Sequence, residues 1–93
     1  MMTDDADRLD RTILAMVAER GEAKTICPSE VARHVAGPDE KAWRLLMKPI
    51  RARAVALADA GRVEIRRKGK TVDPHDFKGI YRLGLPPEGA QEP

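Results

Sequence analysis

Apolar residues in the first twenty positions repeat every three or four residues, which places them on one face of a helix. The residues that share this face are Ala6, Leu9, Ile13, Met16 and Val17. The pattern predicts a helix from Thr3 to about Arg20, and Gly21 fits the left-handed position that often follows a helix. Leu14 falls off this face, so it is either half-buried or part of a dimer contact.

A second, shorter helix is predicted after the extended dipeptide Thr25–Ile26. Pro28 fits its first position, where the missing N–H would have no partner within the helix. Gly37 and Pro38 end it. The inward-facing residues are Val31, Ala32 and Val35. Because so short a helix is marginal in water, tertiary packing must stabilise it.

A third helical segment is predicted from Asp39 to about Ala60, just before Gly61. One side of it carries the residues Trp43, Leu46, Met47, Ile50, Ala54 and Leu57. Of these, we expect Trp43, Ile50 and Leu57 to be core residues. Pro49 lies in the middle of the segment and cannot make the usual backbone hydrogen bond. The segment is therefore either kinked there, or split into two helices with Pro49 in the first turn of the second.

After Gly61 the apolar residues alternate with polar ones, which indicates β-strands. The pattern predicts an antiparallel hairpin that pairs residues 62–67 with residues 80–85. Three cross-strand pairs define the expected register, namely Ile65 with Tyr81, Val63 with Leu83 and Glu64 with Arg82. The polar run 66–70 is expected to interrupt the first strand as a loop.

Two stretches of the chain resemble known DNA-binding proteins. Residues 26–33 (ICPSEVAR) look like the second helix of bacterial winged helix-turn-helix regulators, and residues 57–65 (LADAGRVEI) resemble the end of their recognition helix running into the wing. Together with residues 68–70 and 72–74, these stretches resemble a family of small bacterial proteins known only as a domain of unknown function. The resemblance implies an α+β winged helix-turn-helix fold, with three helices followed by a two-stranded β-hairpin wing.

One domain is expected over residues 1–85. Residues 86–93 have no apolar residue to anchor them, so we expect a disordered C-terminal tail. The formal net charge of +2 hides an asymmetry, because residues 42–85 hold eleven bases and only four acids. A basic segment of this strength usually has an anionic partner, although a solvated basic surface looks the same in sequence.

Two groups of bases are the candidate nucleic-acid contacts. Arg44, Lys48 and Arg51 are spaced by four and three residues, which in one continuous helix forms a stripe beside the core face. The second group lies in the predicted wing, where bases commonly contact phosphates, and comprises Arg66, Arg67, Lys68 and Lys70. The alternative interpretation is a solvated helix face and a hairpin whose lysines protect a strand edge from unwanted pairing.

Catalytic and metal chemistry have little support in the sequence. Cys27 is the only cysteine, which excludes an intrachain disulfide and a cysteine zinc site. Asp73, His75 and Asp76 lie close together, but such a group is more typical of a turn than of a metal site. We therefore expect no enzyme activity, no metal and no cofactor.

The sequence thus predicts a DNA-binding domain, of the kind that transcriptional regulators use, that contacts duplex DNA with the third helix and the wing. No signal peptide or membrane span is seen, so a cytoplasmic protein is expected. The alternative is a winged helix that binds a protein partner or forms a homodimer without contacting DNA.

Overall fold

Four helices and four strands follow one another in the part of the chain that the computed structural model describes, residues 2–22 and 24–86. The helices are α1 (Met2–Arg20), α2 (Pro28–Ala36), α3 (Glu40–Arg44) and α4 (Met47–Asp59). The strands are β1 (Thr25–Ile26), β2 (Glu64–Arg67), β3 (Lys70–Thr71) and β4 (Arg82–Gly84). The predicted α+β class is confirmed. Instead of three helices and a two-stranded hairpin, however, these residues form four helices and one four-stranded antiparallel sheet.

The extra helix arises because the segment after Asp39 is broken before Pro49. The Asp39 side chain accepts a hydrogen bond from the Lys41 N–H, 3.1 Å away, and so caps the start of α3. Pro49 is the third residue of α4, where its missing N–H removes no bond within that helix. The next residue, Ile50, donates to the carbonyl of Leu46 at 2.8 Å. Of the two alternatives for Pro49, the two-helix arrangement is therefore the correct one.

The sheet has the order β1-β4-β2-β3, so β4 lies between β1 and β2. The observed cross-strand pairs of β2 and β4 are Glu64 with Gly84, Ile65 with Leu83, and Arg66 with Arg82. The predicted register, with Ile65 opposite Tyr81, is wrong by two residues. A shift of two residues keeps every side chain on its own face, so the apolar pattern fits both registers equally well.

A tight turn joins β2 to β3, whereas the sequence pattern predicts a longer polar loop over residues 66–70. Lys68 and Gly69 both have positive φ angles, 54° and 83°. Two such residues in succession are typical of a two-residue hairpin of type I′, whose twist matches that of the strands. Arg67 consequently pairs with Lys70 across the turn. The ladder therefore continues through Arg67, and the polar run forms the tip of the hairpin.

The core lies between the inner face of the sheet and helices α1, α2 and α4. Its buried side chains are Leu9, Ile13, Val17, Ile26, Val31, Ala32, Ile50, Ala54, Leu57, Val63, Ile65, Phe77, Tyr81 and Leu83. The prediction of core positions for Ile50 and Leu57 is confirmed. Trp43 is only half-buried against this core, because the turn at Leu45 and Leu46 separates α3 from the helical face of α4.

One predicted segment end also differs from the structure. Pro86 was predicted to belong to the tail, but it is buried and packs beside the sheet near Val63 and Val72. Residues 87–93, which were predicted to be disordered, lie outside the described residues. Leu14 is half-buried against the core, in agreement with the first of its two alternatives.

Truncation of Leu57 to Ala should lower the free energy of unfolding by about 2–5 kcal/mol, because its side chain is 5% exposed and its removal leaves a cavity. Leu45→Ala is a matched control, since Leu45 is 77% exposed and the same truncation there should cost less than about 0.5 kcal/mol. Urea unfolding followed by circular dichroism measures both values. Equal losses in the two variants would show that Leu57 does not pack in the core.

Candidate nucleic-acid interface

The three predicted bases of the α3–α4 region have different surroundings. Arg44 is exposed and forms an ion pair with Glu40, one turn earlier in α3, at 2.7 Å. Lys48 is exposed in the first turn of α4. Arg51 instead turns towards the loop that precedes β4, and its Nη2 donates to the carbonyl of Phe77 at 2.8 Å. The structure therefore does not bring these three side chains together as one exposed stripe.

Arg51 joins α4 to two aromatic rings. Its guanidinium carbon lies 4.0 Å from the centroid of the Phe77 ring and 5.8 Å from that of Tyr81. The two rings meet edge to face, with their centroids 5.2 Å apart. Because a cation over an aromatic face is attracted by the ring quadrupole, this contact holds the loop against the helix. In the structure, Arg51 has this structural role.

Arg66 and Arg67 are also engaged within the protein. Arg66 makes an ion pair with Glu64 at 2.8 Å, and it lies over Gly84, where an added Cβ would come within 3.3 Å of the guanidinium carbon. The Nε of Arg67 donates to the carbonyl of Ile80 at 2.9 Å. The guanidinium of Arg67 also lies against Gly79, whose φ is 86° and where a Cβ would approach Nη2 to 2.9 Å. Two glycines thus make room for two arginines.

Three of the seven candidate bases point into solvent. Lys48, Lys68 and Lys70 are exposed, and within residues 2–22 and 24–86 their side chains form neither an ion pair nor a hydrogen bond. Lys68 lies at the tip of the tight turn and Lys70 at its far side. These lysines are consequently available to an external anion without loss of an internal contact.

One further base of the sheet, Arg82, lies beside this basic group and was not among the predicted site residues. Arg82 donates from Nη2 to the carbonyl of Thr25 at 3.0 Å and from Nε to the hydroxyl of the same residue. Because the expected register placed Arg82 opposite Glu64, its charge was counted as neutralised. The residue that lies opposite Arg82 is Arg66, and Glu64 pairs with Arg66 on its own strand. Only the correct register reveals Arg82 as part of the basic surface.

The loop from residue 72 to residue 76 contains a turn that is closed by hydrogen bonds to Asp73. The carboxylate of Asp73 accepts a hydrogen bond from the His75 N–H at 2.9 Å, and the Asp73 carbonyl accepts one from the Asp76 N–H at 3.0 Å. The Nε2 of His75 lies 2.7 Å from a carboxylate oxygen of Asp59 at the end of α4. No group of three or more metal-ligating side chains occurs in the part of the chain that the structure describes.

An apolar cleft of about 500 Å³ lies between the start of α2, the α3–α4 region and the loop before β4. The apolar residues that line it include Pro28, Trp43, Met47, Ile80 and Tyr81. Ile80 is 84% exposed, and Leu45, on the turn between α3 and α4, is also exposed. The cleft therefore combines a half-buried tryptophan with an unusually exposed isoleucine.

Comparison with known proteins identifies a family but no activity. A family model with the description "Protein of unknown function (DUF3253)" matches residues 6–86. No curated protein matches the chain. None of the helices among the described residues is long and apolar enough to cross a membrane.

Replacing Arg51 with Ala should lower the free energy of unfolding by about 1–3 kcal/mol, because it removes both the bond to Phe77 and the contact with the rings. Arg44→Ala is the matched control, since an exposed ion pair contributes about 0–1 kcal/mol. Urea denaturation of both variants tests the difference. Equal stability of the Arg51 and Arg44 variants would contradict the structural role of Arg51.

The only tyrosine of the chain provides a test at alkaline pH. Burial raises the pKa of Tyr81 to about 12, while the nearby charge of Arg51 opposes this rise. An unfolded tyrosine has a pKa of about 10, so between pH 10 and pH 12 the folded state holds more protons than the unfolded state. The free energy of unfolding should therefore be unaffected by this group below pH 10 and fall by up to about 2–3 kcal/mol as the pH rises to 12.

Tyr81→Phe should remove this part of the fall in the free energy of unfolding at alkaline pH. The difference between the stability curves of the native protein and the variant, both measured against pH, separates the contribution of Tyr81 from that of lysine titration. The Tyr81 hydroxyl is buried with no hydrogen-bond partner in the described part of the chain. At neutral pH the phenylalanine variant should accordingly be at least as stable as the native protein. A tyrosinate absorbance transition at pH 10 in the folded protein would contradict the assignment.

Proposed function

The chain belongs to the family described as Protein of unknown function (DUF3253), and we propose that it is a winged helix-turn-helix protein that binds duplex DNA. The order of the elements supports this fold. Helix α2 is followed by a three-residue connection that contains Gly37, and then by α3, which is the spacing of a helix-turn-helix. Strand β1, between α1 and α2, joins the sheet beside β4, which lies next to β2 as in a winged helix.

The observation that carries the binding proposal is the position of three exposed lysines that have no partner within residues 2–22 and 24–86. Lys48 lies at the start of α4, and Lys68 and Lys70 lie on the hairpin turn. Ile80 lies beside both the start of α4 and the hairpin. It lines the apolar cleft together with Met47, and it lines a second cleft together with Lys68. The start of α4 and the hairpin thus flank the same loop, and we propose that their bases together present a surface suited to a phosphate backbone.

On this surface the helix and the hairpin have complementary roles. The α3–α4 region presents Arg44 and Lys48 to the duplex, and the hairpin presents Lys68 and Lys70 to its phosphates. Arg44 can exchange Glu40 for a phosphate at little cost, because an exposed ion pair contributes little to stability. Arg51 stays against Phe77 and keeps the loop in place. Such a protein acts in the cytoplasm, as a transcriptional regulator or another DNA-binding factor.

A second candidate function is supported by the apolar cleft. An exposed isoleucine beside a half-buried tryptophan is typical of a surface that binds another protein. In this case the domain uses the winged-helix fold for association, and its lysines serve solubility. The two functions are distinguished by whether duplex DNA binds at low salt.

The salt dependence of DNA binding tests the proposal directly. Four phosphate contacts, by Arg44, Lys48, Lys68 and Lys70, predict a slope of about −3.6 for log affinity against log salt, at about −0.9 per phosphate. Fluorescence anisotropy with a labelled duplex at several salt concentrations measures this slope. Affinity for arbitrary sequence should be micromolar or weaker at physiological salt.

The double variant Lys48→Ala/Lys70→Ala should flatten the slope by about 1.8. Arg11→Ala/Arg62→Ala is the matched control, since it removes the same charge from two exposed bases outside the surface and should leave the slope unchanged. Absence of duplex binding at low salt by a folded protein would overturn the proposal. The protein-association function would then predict self-association or partner binding that Ile80→Asp abolishes.

A further inference from the structure

A second cleft, of about 610 Å³, lies between the hairpin, strand β4 and the loop that precedes β4. Four of the residues that line it are basic, namely Arg66, Arg67, Lys68 and Arg82, and the lining contains no acidic residue. Thr25 and the loop residues Ile80 and Tyr81 complete the walls. The volume lies in the range of small-ligand sites, which is about 300–1,000 Å³.

One cross-strand pair that lines the cleft consists of two like charges. Arg66 and Arg82 lie directly opposite each other on β2 and β4. Like charges at such positions destabilise a sheet unless an anion lies nearby. Arg66 has the carboxylate of Glu64 as a partner, whereas the bonds of Arg82 within residues 2–22 and 24–86 go to the hydroxyl and carbonyl of Thr25, which are neutral. Arg82 is therefore fixed in position, while no carboxylate among the described residues pairs with its charge.

Arg67 is likewise a guanidinium that the protein holds in position through a neutral group. Its one hydrogen bond in the described part of the chain goes from Nε to the neutral carbonyl of Ile80. A guanidinium has five N–H donors, so most of those on Arg67 remain unused. Both Arg67 and Arg82 are thus oriented by the protein while donors and charge stay available, and this preorganisation lowers the entropic cost of binding an anion.

Lys68 adds a cation at the rim in an unusual backbone conformation. Its φ of 54° is the one positive value among the non-glycine residues that the structure describes. The first position of a type I′ turn favours Asn, Asp or Gly, so a lysine here is less suited to the turn than those residues. Its side chain borders the same cleft as the two arginines. Strain of this kind is often retained where a side chain serves a ligand.

We propose that this cleft binds a phosphate group, held by Arg67, Lys68 and Arg82, with the Thr25 hydroxyl as a further donor. Guanidinium groups match phosphate oxygens in geometry as well as in charge. The phosphate belongs either to a nucleic-acid backbone or to a free phosphorylated compound. The inference goes beyond DNA binding by the lysine surface, because that surface shares only Lys68 with the cleft and no duplex is required.

Inorganic pyrophosphate is the probe for this site, in an NMR titration of the full chain. We expect saturable shifts of the backbone amides in residues 66–69 and 80–82. The variant Lys68→Ala/Arg82→Gln should weaken pyrophosphate binding at least about tenfold, since two charged donors are lost. Arg11→Ala/Arg62→Ala, which removes the same charge elsewhere, should bind within about twofold of the native protein by the same reasoning. The amide spectrum of each variant shows whether it is folded.

The variant Arg82→Gln identifies the source of the phosphate, because Arg82 lines the cleft and is not one of the four bases of the proposed DNA surface. A flatter salt slope for duplex binding in this variant assigns the cleft to the DNA backbone, and weaker pyrophosphate binding with an unchanged slope assigns it to a free phosphorylated compound. A native protein that shows no saturable pyrophosphate binding overturns the inference, even if the duplex still binds through Lys48 and Lys70. Equal weakening in the two double variants overturns it as well, because the effect would then be one of net charge.

Discussion

The central position of strand β4 is the constraint on which the rest of the sheet depends. Only three residues long, β4 pairs with β1 on one side and with β2 on the other. Strand β1 lies far away in sequence, so its pairing requires the chain to return after the hairpin along a defined path. Contacts from Arg51 to Phe77 and from Arg67 to Ile80 hold that returning loop. Together with the burial of Leu83 in the core, these contacts favour the observed register of β4.

This requirement divides the bases of α4 and of the sheet into two groups. Arginines make the contacts that hold the loop and the sheet, because a guanidinium can bond several carbonyl or carboxylate oxygens and stack on a ring at the same time. Lysines remain in solvent, because an ammonium is strongly hydrated and has no such planar geometry. Arg51 and Arg66 illustrate the first group, and Lys48 and Lys70 the second. The proposed DNA surface follows mainly from the lysines.

The loop before β4 also separates two surfaces of different chemistry. Ile80 and Tyr81 line both the apolar cleft next to Trp43 and the basic cleft next to Arg82. A ligand in either cleft therefore contacts the same short segment. Since Arg67 bonds the carbonyl of Ile80, the position of that segment depends on the hairpin as well as on α4.

Local patterns in the sequence were sufficient for α1, α2, an interruption of the third helical segment and the faces of the strands, because each depends on residues within a few positions of one another. Ile50 and Leu57 were correctly placed in the core for this reason. These patterns left open whether Pro49 kinks that segment or divides it, and they did not place the break at Leu45 and Leu46. The register of β4 needed the tertiary structure, since a period of two is unchanged by a shift of two residues. The roles of the arginines also needed the tertiary structure. The partner of Arg51 lies 26 residues away and that of Arg82 lies 57 away, and no local rule brings such groups together. The sequence thus identified which residues are basic, while only the folded chain decided which of them are left free to bind an anion.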